Sequence, residues 1–167
     1  PDISQGICSN LGQALGYAVD PYTGLPVFNR DNTSGTTKAI NYAATLTGGE
    51  ISDNDELYSS SGYYGAVWTE GSSDFTATGV TFARNNGYGG SAATIYSYSS
   101  GTFDSCTFED NSQDYYGALH ISSGSDATIS NSAFTGNESY GYGGAIYCGS
   151  ICALDISNTT FDDNVAS

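Results

Sequence analysis

Few side chains in this chain can do chemistry. His120 is its only histidine, and Arg30, Lys38 and Arg84 are its only basic residues. A polysaccharide lyase needs a base to abstract a proton and Arg or Lys to hold an acidic sugar. A glycoside hydrolase needs two carboxylates, one with a raised pKa. Asp162 and Asp163 are adjacent, so their side chains diverge on a strand or turn, and no Gly-His-Gly or Arg-x-Lys pattern accompanies them. The residues therefore point away from an enzyme, with a polysaccharide-acting one kept as the third reading.

Oxygen-rich turns stand at Asp53-Asn54-Asp55-Glu56, at Glu109-Asp110 with Asp114, and at Asp162-Asp163. Such turns can hold calcium. Neither the EF-hand spacing nor the nonapeptide repeat of calcium-binding β-rolls is present, so solvated turns and no cofactor are expected, with calcium as the alternative. Cys148 and Cys152 form a C-x3-C pair without the second pair or His cluster of a zinc site. A local disulfide across a turn is expected. The alternative is that all four cysteines, with Cys8 and Cys106, are small buried thiols.

The formal net charge is -15 over 167 residues. A polyanion is repelled by nucleic acid phosphates and anionic membranes, and no apolar run is long enough to span a bilayer. Neither nucleic acid nor direct membrane insertion is expected. The chain begins at Pro1 without Met, which suggests a mature or excised segment. Three N-x-[ST] sequons, at Asn32, Asn137 and Asn158, are glycosylation candidates if the protein is exported in a eukaryote. With the cysteine pair they lean toward an extracellular or cell-surface setting.

The elements that carry these residues repeat. F-x-x-N occurs at Phe82-Asn85, Phe108-Asn111, Phe134-Asn137 and Phe161-Asn164, at intervals of 26, 26 and 27 residues. Ile51 to Asn54 is an earlier, weaker copy. Ala66, Ala92, Ala118 and Ala145 stand 16 residues before each Phe. Four apolar columns follow: Val67/Ala93/Leu119/Ile146, Thr69/Ile95/Ile121/Cys148, Ala77/Phe103/Ile129/Ile156 and the Phe column itself. A period between roughly 20 and 50 residues marks a solenoid. Alternating stretches such as A-V-W-T, T-I-S and V-T-F read as short strands, separated by turn-forming Gly, Ser, Asn and Asp.

The expected fold is all-β, a right-handed parallel β-helix of about five coils of ~26 residues with three strands each. The Phe column should stack through the core and the Asn column should bond amide to amide, which would bury Asn137 and leave its sequon unused. Asn158 is then the better glycan site. Residues 34–167 form the β-helix. Segment 1–33 is an N-terminal cap or a degenerate first coil, because Ile7, Leu11, Leu15 and Ala18 have helical spacing weakened by Gly6, Gly12 and Gly16. No C-terminal cap is evident after Asn164, which suggests a truncated fragment or an end that stacks on another molecule.

The alternation of 143-GGAI-146, 117-GAL-119 and 65-GAV-67 with F-x-x-N resembles the polymorphic outer membrane protein repeat of chlamydial surface adhesins. The resemblance covers about residues 45–164. It implies a parallel β-helix displayed on a surface or secreted, acting in adhesion or as a structural stalk, with no catalytic site. Pectin-degrading enzymes share the architecture, which is why the enzyme reading is kept at all.

Two surfaces stand out. Tyr63, Tyr64, Tyr88, Tyr115, Tyr116, Tyr140 and Tyr142 all fall between an F-x-x-N and the next small-residue motif, with Trp68 and Tyr147 nearby. They would line one edge and contact cell-surface glycans or other protein subunits, self-assembly included. His120 shares a column with Trp68, Thr94 and Tyr147, expected to be an outward surface ring. Thr45-x-Thr47 and Thr76-x-Thr78, decaying to Thr102-x-Asp104, Thr128-x-Ser130 and Asp155-x-Ser157, resemble the ladders of β-helical antifreeze proteins. Adhesion or a structural subunit of a surface filament is the first reading, and ice binding the second.

Overall fold

The computed structural model describes residues 43–54, 65–87 and 90–167. The expectations for segment 1–33, Asn32, Cys8, Tyr63, Tyr64 and Tyr88 lie outside them.

Residues 43–54 supply two strands, β1 (Ala43–Thr47) and β2 (Glu50–Ser52). Four complete coils follow. The first holds β3 (Val67–Thr69), β4 (Asp74–Thr78), β5 (Thr81–Ala83) and β6 (Asn86–Gly87). The second holds β7 (Ala93–Ile95), β8 (Ser100–Asp104), β9 (Thr107–Glu109) and β10 (Ser112–Gln113). The third holds β11 (Leu119–Ile121), β12 (Asp126–Ser130), β13 (Ala133–Thr135) and β14 (Glu138–Ser139). The fourth holds β15 (Ile146–Cys148), β16 (Ala153–Ser157), β17 (Thr160–Asp162) and β18 (Val165–Ala166). Each strand pairs in parallel with its counterpart one coil away, giving four sheets: β1-β4-β8-β12-β16, β2-β5-β9-β13-β17, β3-β7-β11-β15 and β6-β10-β14-β18.

The coil therefore has four strands, not the expected three. The additional one has two residues just after the Asn, too short to show an alternating pattern. Among the described residues there are four full coils and a two-stranded partial one, where about five were expected.

The core is the set of columns read from the sequence. Phe82, Phe108, Phe134 and Phe161 stack with centroids 4.8, 4.3 and 5.1 Å apart. Ile95, Leu119, Ile121, Phe103 and Ile129 are fully buried beside them. In the fourth coil Cys148, Ile156 and Phe161 keep the register but do not fill the core as their siblings do. No described strand lies on the far side of that coil, and Phe161 is 48% exposed.

Three corners share one device. A residue with positive φ turns the chain, and the next residue bonds to the coil beside it. At one corner the turners are Asp53, Arg84, Asp110, Gly136 and Asp163, followed by Asn54, Asn85, Asn111, Asn137 and Asn164. Each of the first four Asn side chains donates from Nδ2 to Oδ1 of the next, at 2.7–3.0 Å. At the second corner Ser72, Tyr98 and Gly124 turn the chain, and Ser73 N and Ser99 N donate to Ser99 Oγ and Ser125 Oγ. At the third, Ser105, Asn131 and Asn158 turn it, and Cys106 N donates to Ser132 Oγ. Such ladders satisfy buried corner amides that no strand reaches.

Candidate functional site

The fourth corner lacks such a ladder and carries tyrosines instead. It runs through Asp114 to Ala118 and, one coil on, through Tyr140 to Ala145. Tyr116 and Tyr142 are bridged in parallel register, 26 residues apart, while Leu119 pairs Ile146, 27 apart. The extra residue of the longer interval therefore lies in this turn. Gly143 occupies it with φ +65°, and a Cβ there would collide with the Ile146 carbonyl oxygen.

The tyrosine side chains fold over the outer face of sheet β3-β7-β11-β15. The ring of Tyr116 stacks on His120 at 4.4 Å and on Tyr147 at 4.7 Å. Tyr142 lies 6.3 Å from Tyr116 and 5.6 Å from Tyr147, and Tyr115 lies 6.0 Å from Tyr116. Trp68 and Tyr96 form a separate pair at 5.4 Å. Tyr142, Tyr140 and Tyr115 are 61%, 59% and 40% exposed. The edge expected from the sequence is thus brought together at Tyr115, Tyr116, Tyr142 and Tyr147.

The expectation for His120 needs correction. It does point away from the core, but it is only 4% exposed, because Tyr116 and Tyr147 cover it. Burial pushes its pKa down to about 4, since the charged imidazolium is poorly solvated there. Its Nδ1 and the hydroxyl of Thr94, the column partner one coil away, make no hydrogen bond. Tyr96 was not singled out in the sequence, because no aromatic repeats in its column of Glu70, Ser122 and Gly149.

Other candidates are distributed around the coils. Asn137 is fully buried and its Nδ2 donates to Phe108 O and Asn164 Oδ1. That is the atom a glycan would take, so its sequon is corrected to a structural position. Asn158 is exposed, with φ +47° at a turn. Cys148 and Cys152 stand at disulfide distance, with Cα atoms 5.9 Å apart, while Cys106 is a free buried thiol. Asp162 and Asp163 are both exposed, Asp163 at φ +49°. Arg84 binds Asp53 and Glu50, each at 2.9 Å. Its guanidinium holds the Asp53 carboxyl below the usual range.

The Thr column is also formed. Thr45, Thr76, Thr102 and Thr128 are register partners on one sheet, with Asp155 as the fifth. Beside it Asp74 accepts from Ser100 at 2.6 Å, and Asp104 accepts from Ser130 at 2.6 Å and Asn131 at 2.7 Å. These bonds hold the Asp104 carboxyl below its ordinary value.

A family model described as a right handed beta helix region matches residues 28–167. No curated protein and no solved structure matches the chain.

Proposed function

The chain belongs to the right handed beta helix family, and from that premise we propose that it is a non-catalytic β-solenoid displayed outside the cell. It works by contact, in adhesion or as a subunit of a surface filament or stalk. The observation that carries this reading is the fourth corner. The other three corners carry internal ladders, the second exposing the single tyrosine Tyr98, whereas this one gathers three exposed tyrosines, Tyr115, Tyr140 and Tyr142, of which Tyr115 and Tyr142 lie against the Tyr116 ring. Exposed tyrosines offer large, stiff contact area to a sugar ring or a protein. The likeness to polymorphic outer membrane protein repeats supports adhesion. The Cys148–Cys152 pair and the exposed Asn158 support an oxidising, exported setting.

The test is binding to glycan arrays and to cell surfaces by the intact chain and by Tyr115→Ala and Tyr142→Ala. Loss of binding with an unchanged circular dichroism spectrum is expected. Undiminished binding would remove the tyrosine edge from the reading.

Ice binding is the second reading, and the aligned Thr45/Thr76/Thr102/Thr128 column favours it. The hydrogen-bonded carboxylates of Asp74 and Asp104 beside that column weigh against it, since charged groups break a lattice-matched array. Thermal hysteresis would establish it. A polysaccharide-acting enzyme comes third. Arg84 is the one basic residue among those described, and it is held by two carboxylates rather than offered to an acidic sugar.

A further inference from the structure

We propose that the Cys148–Cys152 bond is a redox-sensitive clamp on the second corner of the fourth coil, which a dithiol reductant opens and whose opening loosens Tyr147 in the tyrosine corner. This goes beyond the adhesion reading and does not depend on it.

The two cysteines stand in columns that the other coils fill differently. Ile121 pairs Cys148 and Asp126 pairs Ala153, and four residues lie between the paired positions in each coil. Cys148 therefore continues the buried column of Ile95 and Ile121. Ile151 continues the turners Ser72, Tyr98 and Gly124, and Cys152 continues the ladder of Ser73, Ser99 and Ser125. That ladder runs from Ser73 N to Ser99 Oγ and from Ser99 N to Ser125 Oγ. Among the described residues no such bond passes from Ser125 to Cys152.

Backbone bonds to the neighbouring coil are also longer there. Tyr98 N donates to Ser123 O at 3.1 Å, and Asp126 N to Ser99 O at 3.0 Å. Their counterparts one coil on, Gly124 N to Ser150 O and Ala153 N to Ser125 O, both measure 3.3 Å. Gly149, at the start of the turn, keeps a short bond of 2.8 Å to Ile121 O. The turner is poorly suited to its place. Ile151 has φ +51°, a region that branched side chains rarely adopt, and at 87% exposure it has little packing to hold it there. The covalent link across residues 148–152 makes up for the missing ladder. A ring this small takes less entropy from the unfolded chain than a long one, so its effect is local to the turn.

The bond is within reach of a reductant, because this corner lies at the surface in successive coils, with Tyr98 75% exposed and Ile151 87%. A dithiol attacks one sulfur as its thiolate. The S–S bond breaks, two electrons and two protons end on Cys148 and Cys152 as two thiols, and the dithiol closes to its own disulfide. Cys148 directly follows Tyr147 on β15, and the Tyr147 ring stacks on Tyr116 at 4.7 Å. Freeing the corner thus loosens one wall of the tyrosine corner.

The experiment is amide hydrogen exchange, read by NMR, on the full chain oxidised and in dithiothreitol, with opening of the bond checked by mass after thiol alkylation. The amides of Gly124, Gly149 and Ala153 should exchange about tenfold faster or more in the reductant, with those of Phe82 and Phe108 unchanged. Cross-relaxation between the Tyr116 and Tyr147 rings should weaken. Cys148→Ala with Cys152→Ala should behave as the reduced chain, with or without the dithiol. Cys148→Ile with Cys152→Ser rebuilds both columns and should keep the corner protected in the reductant. Unchanged exchange on reduction would overturn the clamp, and so would equal acceleration at Phe82 and Phe108, which would make the bond a global support. A dithiol response that survives in the first double variant would belong to another cysteine and overturn it too. Equal exchange in the two double variants would overturn the reading of the bond as a stand-in for the two columns. An unchanged Tyr116–Tyr147 contact beside a released corner would overturn the link to the tyrosines.

Discussion

The side-chain amide of Asn111 bonds directly to that of Asn137, Nδ2 to Oδ1 at 2.9 Å, with both residues fully buried. Asn111 also donates from Nδ2 to Phe82 O at 2.9 Å, and its Oδ1 accepts from the backbone and side chain of Asn85 at 3.0 Å each. One residue thus ties three coils. Asn111→Ala removes all four bonds and strands their partners in the interior, so a loss of roughly 3–5 kcal/mol is expected. Asn164→Ala should cost less, because that residue is only half-buried. Urea unfolding midpoints of the two variants give the comparison.

The same bonds decide between two sequons. Asn137 Nδ2 is consumed by the ladder, while Asn158 stands exposed at a turn and makes only a long 3.4 Å contact to Asn131. Expression through a eukaryotic secretory pathway should add a glycan at Asn158 and none at Asn137. Asn158→Gln should abolish the corresponding shift on glycosidase treatment. Asn137→Gln should leave any such shift unchanged while lowering the unfolding midpoint.

Gly143 marks where the fourth coil absorbs its one extra residue. With φ +65° and the Ile146 carbonyl oxygen where a Cβ would stand, Gly143→Ala should cost about 2 kcal/mol or more. Deleting Gly143 restores the 26-residue interval of the coil before it. That deletion should cost less than the substitution, as thermal unfolding of the two variants would show. The reverse order would mean that the glycine is needed for the fold rather than merely accommodated by it.

Most of the fold was legible because a solenoid repeats every side-chain environment. Phe82, Phe108 and Phe134 are buried alike and Phe161 continues their register, so one residue type recurs and the column can be counted. The Asn ladder was readable for the same reason. The fourth strand was not: Ser112-Gln113 and its counterparts share no residue type, since two residues paired through the backbone ladder need no common side chain. The Ser73–Ser99–Ser125 ladder was hidden because serine is common in every turn of this chain. At the site, the tyrosines were visible as a cluster. The burial of His120 was not, because it depends on Tyr116 folding back over the next strand, a contact that no column periodicity encodes.

His120 gives the chain a dependence on pH that the carboxylates do not. Its folded pKa is about 4, against about 6.5 in an unfolded chain. Above 6.5 both states are neutral and pH has no effect through this group. Between 6.5 and 4 the unfolded chain takes up a proton that the folded chain declines, so stability falls as the solution is acidified. The full difference is about 3 kcal/mol and is reached near pH 4. Asp53 and Asp104, whose pKa values are lowered, contribute stability that is lost only at still lower pH, as they protonate. Denaturant midpoints measured from pH 7.5 to 4 should therefore fall steadily in the native chain. His120→Gln, which cannot protonate, should flatten the curve across that window even if it lowers stability at pH 7.5. An unchanged slope in His120→Gln would mean that the imidazole is protonated in the folded state, and that the Tyr116 and Tyr147 rings stabilise its charge instead of excluding it.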